Sequence, residues 1–140
     1  MSPAARKGET AFQFMLGAWD LRRKVIDHRH SQIVCFAGEA TVTATAFKER
    51  GEIDQGGTKF ETERSYHLRP GANSVSVLFS NDAAFIDLDL RASQEVRHLC
   101  GADVYLGRFY FRGTDEWAER WRVSGPRKNY VSLARYRRIS

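Results

Sequence analysis

A histidine, a thiol, a carboxylate and a phenol (His98, Cys100, Asp103 and Tyr105) fall within eight consecutive residues of this chain. Groups of these types move protons or ligate zinc. A second run downstream, Trp121 to Tyr130, adds Gly125, Pro126, Arg127 and Lys128. Zinc is not expected. A second cluster is lacking, since His28 and His30 share a face but lie in a polar turn, and satisfied side chains are the favoured reading. A Cys100–His98 nucleophile pair has no orienting group beside it. An acid–base role for Asp103 with Tyr105 or His98 fits better, because a low-dielectric pocket moves carboxylates toward neutrality. Gly125 to Lys128 lacks the glycine spacing and following helix of a phosphate loop. It reads as a bent strand or turn that sets Arg127 and Lys128 beside a barrel mouth or its interior. There they either favour a carboxylate or phosphate ligand or are simply solvated.

These residues must be carried by strands. His98 and Cys100 share one strand face, but Asp103 lies five positions from His98 and would point away. A bulge at Gly101 or Ala102 inserts one unpaired residue and returns Asp103 and Tyr105 to the face of His98. If Asp103 and Arg64 both face inward, burial requires them to pair, directly or through Tyr105.

Upstream, Thr10 to Leu16 reads as one short helix, begun by Glu9 or Thr10 and ended by Gly17. Past Gly17 the helical period is gone. Trp19 to Ile26 is a strand, followed by the polar turn Asp27–Ser31. Ile33 to Phe47 reads as one long strand, with alanines and valine alternating with threonines. Short strands follow around Ile53, from Phe60 to Leu68, Val75 to Phe79 and Phe85 to Leu90. Gln94-Glu95 is a weak connection, and His98 to Arg112, Trp117 to Gly125 and Tyr130 to Arg137 complete the series. Nine or ten strands with hairpin-length connections predict an all-β, single antiparallel up-and-down β-barrel with a short N-terminal helix, one domain over residues 1–140.

Inward positions mix aromatics with charges. Arg64 lies with Phe60 and Tyr66, Asp87 and Asp89 with Phe85, and Asp103 and Tyr105 with Phe109 and Phe111. Such a face describes a pocket as well as a polar core. The side chains expected to line it are Arg64, Tyr66, Asp87, Asp89, His98, Cys100, Asp103, Tyr105, Trp121 and Lys128. Trp19, Trp117 and Trp121 read as core or barrel plug rather than as ligand stackers.

The 140 residues suffice for one core. No apolar run reaches the ~20 residues of a membrane span, and the N-terminus lacks a signal-like apolar stretch. Two cysteines, Cys35 and Cys100, are too few for a disulfide framework. A cytoplasmic location follows. The net charge of +5 is spread over basic residues interleaved with acidic ones, which favours solvated strand faces; neither nucleic acid nor membrane is an expected partner. An edge strand could support a homodimer.

Several motifs together resemble a known family. They include Phe14 with Gly17-x-Trp19, Gly38-x-Ala40 and Arg64-x-Tyr66. The run His98-x-Cys100-x-x-Asp103-x-Tyr105 and the run Trp121-x-Val123-x-Gly125-Pro126-x-Lys128-x-Tyr130 agree as well, with Tyr136-Arg137-Arg138 at the end. They look like DUF6314, small bacterial and fungal proteins of unknown function. The resemblance implies a calycin-like barrel, similar to lipocalin, fatty-acid-binding or nitrobindin barrels, with no activity attached. Ile86 stands where the family pattern carries a histidine, which weakens any mechanism needing a second imidazole and weakens a haem site by analogy with nitrobindin. The expectation is binding of a small apolar or amphipathic molecule inside the barrel, an anionic one among the candidates, with no cofactor identified. The alternatives are an enzyme using Asp103, Tyr105 or His98 as acid–base groups, and a structural module.

Overall fold

A computed structural model of the chain describes residues 11–89 and 91–140. Helix α1 spans Ala11–Met15, and its N-cap and the predicted end of one strand at Leu90 lie outside the described residues. The strands are β1 (Gly17–Asp27), β2 (Gln32–Val42), β3 (Ala46–Gln55), β4 (Thr58–Pro70) and β5 (Ser74–Phe79), then β6 (Ala84–Asp89), β7 (Ser93–Cys100), β8 (Asp103–Arg112), β9 (Glu116–Gly125) and β10 (Lys128–Arg138). All ladders are antiparallel, in the order β6-β5-β4-β3-β2-β1-β10-β9-β8-β7. Each strand pairs with its chain neighbour, β1 pairs with β10, and β6 and β7 come side by side without a ladder among the described residues. The result is a nearly closed ten-stranded barrel, as the hairpin spacing predicted.

Side chains close this last gap. The amide of Gln94, 2% exposed, accepts the Asp89 N–H at 2.9 Å and donates to the carbonyls of Asp89 (3.1 Å) and Arg91 (2.9 Å). The predicted weak connection at Gln94-Glu95 is therefore part of β7, fastened by that amide. Two long strands of the sequence reading are each two strands. Ile33–Phe47 breaks at Thr43–Thr45, where the Thr43 N–H and the Ala46 carbonyl close a turn at 2.9 Å. His98–Arg112 breaks at Gly101-Ala102, a two-residue hairpin loop in which Cys100 faces Asp103.

That hairpin corrects the expected bulge. Gly101 has φ +60 while Ala102 keeps an ordinary φ, the pattern of a tight turn with glycine at its first central position. Residues paired across a hairpin share a face. His98 opposite Tyr105 and Cys100 opposite Asp103 thus project inward together through pairing, with no inserted residue.

One end of the barrel is filled. Trp117 stacks on Tyr136 at 4.1 Å and meets Trp19 edge-on at 4.3 Å, and all three are fully buried. Such ring pairs add roughly 0.5–1.5 kcal/mol each beyond their burial. Helix α1 caps this end: the Trp19 indole donates to the Met15 carbonyl at 2.8 Å. Arg138 lies over the Trp19 ring at 4.2 Å and donates to the carbonyls of Leu16 (2.7 Å) and Phe14 (2.9 Å). The expected plugging role of Trp19, Trp117 and the helix follows from these contacts.

Candidate functional site

Above this plug the barrel is hollow. A cavity of about 470 Å³ runs from Met15 toward the end formed by the β7–β8 and β9–β10 hairpins. Its wall is mostly rings. Phe85 stacks between Tyr66 (5.6 Å, 10°) and Trp121 (5.4 Å, 17°), and His98 meets Phe79 and Phe85 edge-on at 5.4 and 5.2 Å. Among the described residues His98 makes ring contacts and no side-chain hydrogen bond.

A charged network crosses the interior on one side. Glu49 is 2% exposed and accepts two hydrogen bonds from the Arg23 guanidinium, both 3.0 Å, and one from Arg64 Nε at 2.6 Å. The Tyr136 hydroxyl also donates to it. Burial opposes ionisation of Glu49, but the two guanidiniums outweigh it and hold the carboxyl down at about 2. The register explains the pairing, since Glu49 on β3 stands directly opposite Arg64 on β4. This corrects the expected Arg64–Asp103 pair. A second buried carboxylate, Glu119, accepts from the indoles of Trp121 (3.0 Å) and Trp117 (3.2 Å). No buried side-chain polar atom among the described residues lacks a partner.

Arg64 is half exposed and uses its Nε on Glu49, while its terminal amino groups make no hydrogen bond among the described residues. It also borders a second hollow of about 230 Å³, toward Val34, Phe36 and Ile53. Burial pushes the Tyr66, Tyr130 and Tyr136 phenols up, so all three stay protonated at neutral pH.

Asp103 and Lys128 sit at the rim and join by an ion pair at 3.2 Å. Lys128 also donates to the Tyr105 hydroxyl at 2.6 Å, and these two partners raise its pKa, Tyr105 foremost. Asp103 and Lys128 belong to strands that flank β9, so the carboxylate must cross the backbone of Gly125. A Cβ at Gly125 would fall 2.0 Å from Asp103 Oδ1, which accounts for glycine there.

Of the side chains expected inside, Arg64, Tyr66, His98, Cys100, Tyr105 and Trp121 line the cavity, and Asp103 and Lys128 close its rim. Asp87 and Asp89 do not reach it. They sit opposite Ser76 and Ser74 on the outer face, where Asp87 accepts from the Ser76 hydroxyl at 2.7 Å and Asp89 pairs with Arg91. The slip in register between Val77 and Leu78 sets the parity of β6, turning Ile86 and Leu88 into the interior. Both cysteines are exposed free thiols rather than buried ones.

Sequence reasoning missed Arg23, Glu49 and Glu119. Trp117-x-Glu119-x-Trp121 carried the signal for one of them, a carboxylate between two inward tryptophans at a period of two. Glu49, flanked by Lys48 and Arg50, looks like solvated surface until the break at Thr43–Thr45 resets the parity of β3.

The profile of a family described as "Family of unknown function (DUF6314)" matches residues 15–138. No curated protein matches the sequence. Among solved structures, the S-type phycobiliprotein lyase CpeS from Guillardia theta is similar in fold, with TM-score 0.63 and 9% identity over 100% of this chain and 98% of that one. A DUF3598-family protein of unknown function from Nostoc punctiforme aligns with TM-score 0.61 and 9% identity, over 99% of this chain and 52% of that one.

Proposed function

The chain belongs to the DUF6314 family, and on the premise of a fold without an assigned activity we propose that it is a binding protein for a small, partly planar, amphipathic molecule with an anionic group. The cavity carries this reading. Its volume of about 470 Å³ falls in the range that holds small ligands, ~300–1,000 Å³. Its fully buried side-chain polar atoms are already satisfied among the described residues and its wall is mostly rings, so a guest is held mainly by ring contact and expulsion of water. Among the described residues the terminal amino groups of Arg64 are the charged donors left at the cavity to orient it, and their charge and fork geometry suit a carboxylate or sulfonate. Binding rather than catalysis is the better-supported role, because Lys128 engages both Asp103 and Tyr105. The exposed free thiols support a reducing, cytoplasmic setting.

Two fluorescent probes test this. Anilinonaphthalene sulfonate, anionic and aromatic, should bind the folded protein at one saturable site. Arg64→Leu should weaken it by about tenfold, as expected for loss of a charge-assisted bond, while the uncharged N-phenylnaphthylamine keeps its affinity. Trp121→Ala should weaken both. Failure of both probes to bind, with no small molecule carried through native mass spectrometry, would overturn the reading.

A further inference from the structure

Charges dispersed along the sequence are sorted in space by the pleat of the barrel. The outward side chains of β7, β8, β9, β10 and β1 gather Lys24, Arg97, Arg120, Arg122 and Arg135 on one side. None of the five has an ion pair or side-chain hydrogen bond among the described residues. Arg108 stands directly opposite Arg120, and Arg22 directly opposite Arg135. Like charges in register destabilise a sheet, so stability of the fold does not select this pattern. The carboxylates of this face are few. Asp20 meets Arg22 at 3.6 Å, Glu95 pairs with Arg108, and Glu116 lies opposite Arg112 and Arg137. On the outer face of β2 to β4 the balance reverses, with Glu39, Glu52, Asp54, Glu61 and Glu63 outnumbering the cations.

Apolar side chains lie between the cations. Leu106 is flanked by Arg97 on β7 and Arg122 on β9, and Leu133 by Arg120 on β9 and Lys24 on β1. They are 49% and 43% exposed, and Leu99, beside the β7–β8 turn at the cavity mouth, is 57% exposed. Five adjacent strands make this face about 19 Å wide at the usual interstrand spacing.

We propose that this face docks the protein on an anionic lipid bilayer. The unpaired cations sit at the level of the headgroup phosphates and carboxylates, and the leucines between them enter the boundary with the acyl chains. A nucleic-acid strand would use the cations but has no call on the leucines, and among the described residues Tyr110 is the one exposed ring these five strands offer for a base to stack on. A second copy of the chain would set arginines against arginines.

The test is sedimentation of the full chain with phosphatidylcholine vesicles, with and without phosphatidylserine. Binding is expected only where phosphatidylserine is present. It should vanish near 1 M salt, where the screening length falls to about 3 Å. Arg120→Glu with Arg122→Glu should weaken it by on the order of tenfold or more. Circular dichroism should show these variants folded, since Arg120→Glu also relieves the repulsion with Arg108. Leu106→Ser with Leu133→Ser keeps every charge and should also weaken vesicle binding. Equal binding to neutral vesicles, or binding to neither, would overturn the proposal. So would a mixed-sequence oligonucleotide that displaces the vesicles and binds the leucine variants undiminished.

Discussion

Glu49 is the residue on which the interior turns. One carboxylate holds two guanidiniums and a phenol, and without it Arg23, almost wholly buried, would keep only the Tyr136 hydroxyl as a side-chain hydrogen-bond partner among the described residues. Removing one partner of a buried ion pair costs about 3–5 kcal/mol, so Glu49→Gln is expected to lower unfolding stability by that order in urea titrations. The same group sets an acid limit. Its carboxyl is held at about 2 against an ordinary 4.5, so the folded state binds its proton later than the unfolded chain. The resulting stabilisation, about 3 kcal/mol at most, is complete above pH 4.5 and is lost as pH falls toward 2. Urea midpoints measured across that window should fall steeply for the native chain and less so for Glu49→Gln. Equal slopes would show that other carboxylates set the acid limit.

Among the elements, the β7–β8 hairpin shows how far the sequence could be read. That His98, Cys100, Asp103 and Tyr105 would share a face was legible from their spacing around Gly101. Whether the glycine marked a bulge or a turn was not, because both devices change the parity by the same amount. Residues whose parity depends on one break, such as Glu49 after Thr43–Thr45 or Asp87 beyond the Val77/Leu78 slip, were misread or missed for that reason. Partner choice was out of reach too, since Arg64 meets Glu49 only through a register that no local pattern encodes. Opposite Trp121, Gly107 shapes the cavity by leaving room. A Cβ there would come within 2.7 Å of the indole ring. Gly107→Ala should push that ring inward, loosen its bond to Glu119 and cost about 1–3 kcal/mol as overpacking does. A shifted tryptophan emission and weaker probe binding would report it, and an unchanged spectrum would contradict it.

At the scale of the molecule, ten strands and a short helix surround the ring-lined hollow, with a smaller one beside Arg64, and the outer surface is divided between a basic side and a more acidic one. Ladders join every neighbouring pair of strands except β6 and β7 among the described residues, and there the Gln94 side chain makes three hydrogen bonds to Asp89 and Arg91. Each is worth about 1 kcal/mol net, so Gln94→Leu is expected to lower stability by roughly 3 kcal/mol. Amide hydrogen exchange should accelerate first along β6 and β7. Uniform acceleration around the barrel would show that the gap is no weaker than the ladders.

A cylinder stitched on every side but one has a fixed girth everywhere except along that line. Glutamine can release and remake its three contacts without disturbing a single ladder bond. If the hollow holds a guest as proposed, the circumference is expected to widen by parting there, as a cuff does at its button, while the nine strand pairings stay intact.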